Sequence, residues 1–466
     1  MSSNEVLSLV LLLAVFVLAI WRDVNVGLVA LPAAFLLAGI AGIPKAEVLA
    51  GFPADIVVLI IGVMYMFGHA QRSGAIDRMV HAVVAASGGR DWALPWVMFL
   101  VGAVLSGIGT LPSATVAIVL PIAMRLARNR GIDPVLMALV ACSGAGVGGF
   151  SPLSPWAAIV RSLADRQGAD YSPGMLFVGL AALKFAVTVI AFFALGGGRL
   201  ARRTTLEPAQ EPESVPAPAS AHGSVPAPAT APLPESGPAP APESVRGGAS
   251  QVGGAGAGVP EVRGAGPVTA YQVGSLAGLG VFVVAVLAFG MNVAFVALAV
   301  GLVLHAAFRP DTRRVVADLP WGVVVLTAGI LVYVADLERV GTLKTLARHL
   351  GGIDGTLLTV LAIAYLAAFF ATIESSTVAV LGLIVPLAAT ALPHQTSAQF
   401  TALLVAVCGT IGAVAISPLH LGGGLVLANT REEDTPRVFR WTLGWSVGAA
   451  VLLPAVLLLV PLAAGI

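Results

Sequence analysis

Polar positions in this chain are clustered, and between the clusters lie long apolar runs. The runs fall near residues 6–21, 26–43, 55–71, 94–108, 113–127, 134–162 and 174–196. They return near 272–289, 292–308, 321–337, 355–372, 375–392, 398–428 and 438–463. Most have the length of a bilayer-crossing helix, about 17–25 residues. A polar, amphipathic stretch interrupts each series after its third run, at 72–92 and at 338–354.

The two series are copies. Asn25-Val26 returns as Asn292-Val293, Phe52-Pro53 as Leu319-Pro320, Gly62 as Gly329 and Arg72 as Arg339, at one offset (292 − 25 = 267; 339 − 72 = 267). Further on, Cys142 and Ser151-Pro152-Leu153 return as Cys408 and Ser417-Pro418-Leu419 (408 − 142 = 266). A duplicated membrane unit is a common construction of alternating-access carriers, with the binding site where the copies meet. Thirteen of the 31 prolines lie between 208 and 267 among Ala, Gly and Ser. Such a segment cannot bury a core and reads as a disordered linker. The expected organisation is therefore a first repeat over 1–198, a linker over 199–268 and a second repeat over 269–466.

The fourth and fifth runs of the first copy are short. Leu94 to Ser106 as helix spans ~20 Å against a hydrocarbon core of ~30 Å. This predicts a re-entrant hairpin, carried to the second copy by the repeat. Each copy then crosses five times, so the copies lie inverted. Placing the linker in the cytoplasm puts 18 of 25 Lys and Arg inside, Arg125, Arg128, Arg130, Arg309, Arg313 and Arg314 among them. That asymmetry agrees with the positive-inside rule and sends both termini outside. The fold class predicted is an all-α polytopic membrane protein of two inverted repeats, about five transmembrane helices each, with a re-entrant hairpin per repeat.

Composition agrees. Hydrophobic residues make up 58% of the chain, charged residues 11%, and the mean hydropathy is +0.94. A soluble domain carries roughly 25% charged residues. The first run lacks the basic start and small-residue cleavage site of a signal peptide and reads as a retained span. A net charge of +1 gives no reason to expect nucleic acid. The two cysteines read as small buried residues, and no zinc-type spacing exists.

Chemistry concentrates at four places. The hairpin tips carry Ser113-Ala114-Thr115 and Ser375-Ser376-Thr377, each opening a returning arm. The free amides of a helix start favour an anion, and hydroxyls add neutral donors that cost less to bury than a charge. The sixth runs hold Gly144, Gly146, Ser151 and Ser154, echoed by Gly409, Thr410, Ser417 and His420. Gly and Pro this dense break a helix at membrane depth, and freed carbonyls there hold cations. Glu374 beside the second tip is a candidate for proton coupling or cation binding, and His420 for proton sensing or ligand contact. Lys184, between Leu183 and Phe185 in mid-span, reads as a structural ion pair or a snorkelling cation rather than a substrate contact.

Phe52-Pro53-Ala54-Asp55-Ile56-Val57-Val58-Leu59, Met64-Tyr65-Met66-Phe67-Gly68, Leu94-Pro95-Trp96-Val97-Met98-Phe99, Pro121-Ile122-Ala123-Met124-Arg125 and Gly149-Phe150-Ser151-Pro152-Leu153-Ser154 resemble the N-terminal half of MatC-type dicarboxylate (malonate) carriers. The resemblance covers about residues 1–195. The second half resembles the ion-transporter superfamily that includes the divalent anion/sodium symporters. It implies inverted repeats with re-entrant hairpins, a homodimer and elevator-type motion. It also implies that the tip hydroxyls bind substrate carboxylate and sodium. The family's tip sequence is Ser-Asn-Thr, and both asparagines are replaced here, by Ala114 and Ser376. Proton coupling through Glu374 or His420 therefore stands beside sodium.

The expectation is an ion-coupled permease for small dicarboxylates in a bacterial cytoplasmic membrane. Its coupling ion would be sodium or a proton, and it would carry no cofactor. The substrate sites are Ser113, Ala114, Thr115, Ser375, Ser376, Thr377, Ser151, Ser154, Ser417 and His420, with Glu374, Gly144, Gly146, Gly409 and Thr410 serving the coupling ion. The alternatives are a cation/proton antiporter of the same architecture and a membrane subunit fed by an extracytoplasmic binding protein. No nucleophile–base pair or metal cluster points to an enzyme.

Overall fold

The computed structural model describes residues 2–22, 24–86, 90–202, 267–351, 356–373, 376–393, 395–463 and 465. The linker expected at 199–268 lies almost wholly outside them, as do Glu374 and Ser375. Every regular element among the described residues is a helix. The first half holds α1 (Ser3–Arg22), α2 (Val26–Ala41), α3 (Lys45–Ala50), α4 (Ala54–Arg72), α5 (Ala75–Ala86), α6 (Ala93–Gly107), α7 (Pro112–Asn129), α8 (Pro134–Gly148), α9 (Pro155–Arg166), α10 (Pro173–Ala194) and α11 (Gly197–Arg202). The second holds α12 (Ala270–Phe289), α13 (Val293–Phe308), α14 (Thr312–Ala317), α15 (Trp321–Val340), α16 (Thr342–Gly351), α17 (Thr356–Ile373), α18 (Thr377–Ala391), α19 (Ser397–Val414), α20 (Leu421–Ala428), α21 (Thr435–Leu457) and α22 (Leu459–Ala463).

Six helical stretches are long and apolar enough to cross a membrane: Ser3–Arg22, Lys45–Arg72, Pro173–Ala194, Ala270–Phe289, Ser397–Val414 and Thr435–Ala463. Leu13, Phe193, Phe289 and Leu452 stand exposed on them. Such faces suit lipid, and this is a membrane protein. The sequence offset reappears in the helix limits. α1, α2 and α3 begin and end 267 positions before α12, α13 and α14 (270 − 3 = 267; 317 − 50 = 267).

The same local causes act twice. Asn25 caps α2 by accepting from the Gly27 amide at 2.9 Å, and Asn292 caps α13 by accepting from the Ala294 amide at 3.0 Å. Each satisfies a donor that the first helical turn leaves unpaired. At the other end Gly42 closes α2 with φ 73°, and its equivalent Arg309 closes α13 with φ 46°. Arg309 is the one non-glycine residue with positive φ among the described residues. A left-handed conformation costs an L-residue roughly 1–2 kcal/mol, so the turn geometry has been kept where the glycine has not.

The halves interlock by exchanging equivalent partners. α15 packs on α2, and α13 packs on α4. A Cβ on Gly27 would stand 2.1 Å from the Val325 carbonyl oxygen, and one on Gly329 2.2 Å from that of Gly27. In the reciprocal contact, a Cβ on Gly62 would stand 2.8 Å from the carbonyl oxygen of Ala294 (294 − 27 = 267; 329 − 62 = 267). Polar contacts follow suit. Thr345 donates to Glu5 Oε1 at 2.8 Å, while Arg78 donates to Gln272 Oε1 at 3.4 Å (272 − 5 = 267; 345 − 78 = 267). Small residues that let backbones meet are the usual means of helix association in lipid, where burial of apolar surface supplies little drive.

The remaining helices form a second set with the same exchange. α8 packs against α6, α7 and α10, and α19 against α17, α18 and α21. α10 crosses to α19 and α21 to α8, while α7 meets α20 and α18 meets α9. α6 is 15 residues long, about 22 Å, and turns at 108–111 directly into α7. The broken spans differ in one respect from the sequence expectation. Gly144, Gly146, Gly409 and Thr410 lie inside continuous helix, and the chain breaks later, at 149–154 and 415–420. Glycines that continue a helix here are used for close packing, while Pro152 and Pro418 fall in the breaks.

The glycine seam gives a direct test. Gly27→Ala and Gly329→Ala should each sharply reduce monodisperse protein in detergent size-exclusion chromatography. Gly39→Ala on the same α2 helix should not, because its Cβ would meet nothing within 4 Å.

Candidate functional site

A helix that stops at membrane depth leaves its last carbonyls without hydrogen-bond donors. α19 stops at Val414, and three side chains from the α10 and α21 helices reach its final turn. Lys184 Nζ donates to the Gly412 carbonyl at 2.6 Å, Trp445 Nε1 to that of Ala413 at 3.3 Å, and Ser446 Oγ to that of Val414 at 3.3 Å. The chain then turns through Ser417, whose hydroxyl accepts from the Leu419 amide, and restarts at His420, the cap of α20.

His420 is held at both ring nitrogens. Nδ1 accepts from the Gly422 amide at 3.3 Å, which puts the proton of the neutral ring on Nε2. Nε2 then donates to Thr377 Oγ1 at 3.5 Å. Thr377 opens α18, so the imidazole ties the start of α18 to the break between α19 and α20. At the first broken span Ser151 donates to the Gly107 carbonyl at 2.6 Å, tying it to the end of α6.

Between the spans lies a cavity of about 80 Å³. Four pairs of repeat-equivalent residues line it: Ser143 with Gly409, Gly146 with Gly412, Trp156 with Gly422, and Val187 with Leu453 (409 − 143 = 266; 453 − 187 = 266). Ser113, Cys142, Lys184 and His420 also face it. Equivalent residues meet around one space only where the two copies face each other. A larger open groove of about 620 Å³ runs along α21 past Trp441 and Leu452, and its almost wholly apolar wall suits acyl chains better than an anion.

The predicted residues divide. Ser113, Gly146, Gly409 and His420 line the cavity, and Thr377 touches it through His420. Ser376 is the cap of α18. Ala114 packs against the hydrophobic core. Gly144 lies against the backbone of Phe99, where a Cβ would stand 2.1 Å from the carbonyl oxygen. The Thr410 hydroxyl returns to the Ala406 carbonyl of its own helix at 2.9 Å. Near the start of α7 and the break after α8, the buried hydroxyls of Thr110, Thr115 and Ser154 have no hydrogen-bond partner among the described residues. Buried hydroxyls are rarely left so unless they serve an ion, a water or a ligand.

Lys184 is the residue that sequence reasoning misplaced. It is only 8% exposed, and no described carboxylate lies within 4 Å of its amine, so it forms no ion pair among the described residues. Nor can it snorkel. It sits 11 residues from one end of α10 and 10 from the other (184 − 173 = 11; 194 − 184 = 10), about 15 Å of helix from either interface. That position was visible in the sequence.

Residues 1–149 match the family described as the dicarboxylate carrier protein MatC N-terminus. No curated protein matches the chain. The match points to a transporter rather than an enzyme, and to a dicarboxylate as its cargo.

Both cysteines are free, and only Cys142 lines the cavity, while Cys408 is fully buried in the core. A small membrane-permeant methanethiosulfonate should label Cys142 and leave Cys408 unmodified, as read by mass spectrometry of the intact and digested protein.

Proposed function

We propose that this chain is an ion-coupled secondary transporter of small dicarboxylates, working by alternating access. Its two copies lie inverted in the membrane, each with one re-entrant hairpin. The observation that carries this reading is the cavity bounded by equivalent residues of both copies. Its polar groups are of the kinds that hold a carboxylate without a metal: a hydroxyl at Ser113, an imidazole N–H at His420 that rests on Thr377 in the unloaded chain, and an amine at Lys184. The carrier-family match over residues 1–149 supports the substrate class. The short α6 and its tight turn into α7 support the hairpin, and the excess of basic residues on the linker side supports inversion.

On this reading the tips deliver Ser113 and Thr377 to the substrate from opposite copies. The unpartnered hydroxyls of Thr110, Thr115 and Ser154, with His420, are where sodium or a proton would couple. The protein would sit in a bacterial cytoplasmic membrane as a homodimer, with its linker in the cytoplasm and its termini outside.

Proteoliposomes of the purified chain should accumulate labelled malonate or succinate, with sodium and pH varied separately to find the driving ion. Ser113→Ala and Thr377→Val should each lower uptake about tenfold, the loss of one hydrogen bond to a charged group. Wild-type uptake in both variants would defeat the assignment of the tips.

A further inference from the structure

We propose that Lys184 is the specificity-determining residue of this cavity: its ammonium pairs with one carboxylate of the substrate, and in the unloaded chain it rests on the carbonyl of Gly412. The inference rests on the reading of the cavity as a dicarboxylate site.

The geometry separates this role from a purely structural one. A lysine ammonium has three N–H donors, and among the described residues only the Gly412 carbonyl takes one of them. The others belong to an amine that is more than nine-tenths buried and faces the cavity. Capping the end of α19 does not itself call for a cation. The next two carbonyls, of Ala413 and Val414, are met by the neutral donors of Trp445 and Ser446. Of the three carbonyls, only that of Gly412 is met by a charge. The negative end of the α19 dipole helps to hold that charge while no ligand is present.

The walls are cut to fit the amine. A Cβ on Gly146 would stand 3.2 Å from Nζ, and one on Gly412 3.1 Å. These two glycines are repeat equivalents (412 − 146 = 266), so the amine lies between matching points of the two copies. The equivalent of Lys184 itself is Ala450 (450 − 184 = 266). One cation therefore stands where symmetry would place two, and the site has a charged end and a hydroxyl–imidazole end. A substrate with two carboxylates fills both. The hydroxyl–imidazole end binds its carboxylate through neutral donors, and the charged end rejects an uncharged amide.

The test compares malonate and succinate with their half-amides, malonamate and succinamate, as competitors of labelled uptake in proteoliposomes. Wild type should prefer the dicarboxylates by about tenfold or more. In Lys184→Met, similar in volume and apolar, that preference should fall to about onefold or invert, and Lys184→Arg should restore part of it. Should Lys184→Met not stay monodisperse, Gly146→Ala displaces the amine instead and should lower the preference in the same direction. An undiminished preference in these variants overturns the assignment of Lys184 and leaves the carrier reading standing. A wild-type protein that takes up neither dicarboxylate under any ion gradient overturns the carrier reading itself.

Discussion

The constraint on which this structure turns is the backbone of a helix that ends inside the protein, beside a small cavity. Each unpaired carbonyl at membrane depth costs several kcal/mol, so a mid-membrane break survives only if other groups are brought to it. At the end of α19 those groups come from α10 and α21, one from each copy. The break thus fixes how the halves sit against each other, and the cavity follows from it: the helices that supply the caps also form its walls. The other set, α1–α5 with α12–α16, solves a different problem. It has no broken helix to satisfy and is held by glycine-to-backbone contact at Gly27, Gly62 and Gly329.

Much of this was legible in the sequence because the duplication left marks that do not depend on propensity. Asn25 and Asn292 return because both cap a helix, and Gly62 and Gly329 because both meet a backbone. The six-residue helices α3 and α14 were missed, since pieces that short give no periodic signal and read as loop ends. The breaks fall later than the glycine density predicts, because glycine need not break a helix. In α8 the glycines continue the helix, since Gly144 and Gly148 are where α6 approaches too closely for any side chain. A length argument was also open for Lys184: a cation some 15 Å from either end of its helix has no interface to reach.

The departures from symmetry are as informative as the matches. Equivalent positions keep the packing and diverge at the chemistry: Ser154 against His420, Gly179 against Trp445, Lys184 against Ala450 (420 − 154 = 266; 445 − 179 = 266). Packing contacts such as Gly27 against the α15 backbone leave no room for a larger residue, so such positions resist change. A cavity near the symmetry axis is under the opposite pressure. Two lysines lining one small cavity would repel each other in low-dielectric surroundings. One lysine opposite neutral donors avoids that repulsion and gives the site a direction.

On the proposed reading, the reciprocal contacts also bear on how the protein could work. A carrier needs inward- and outward-open states of similar free energy, because a large gap would leave one of them unpopulated. Here α7 meets α20 and α18 meets α9, so each returning arm rests on the second part of the other copy's broken span. Opening one of these contacts while closing its counterpart exchanges one set of interactions for an equivalent set. Near-balance between the two states then has a basis in the duplication, and the unlike residues, those at the cavity among them, bias it. Those at the cavity are the residues a bound anion would touch, so the ligand acts on a part of the structure where the two states differ.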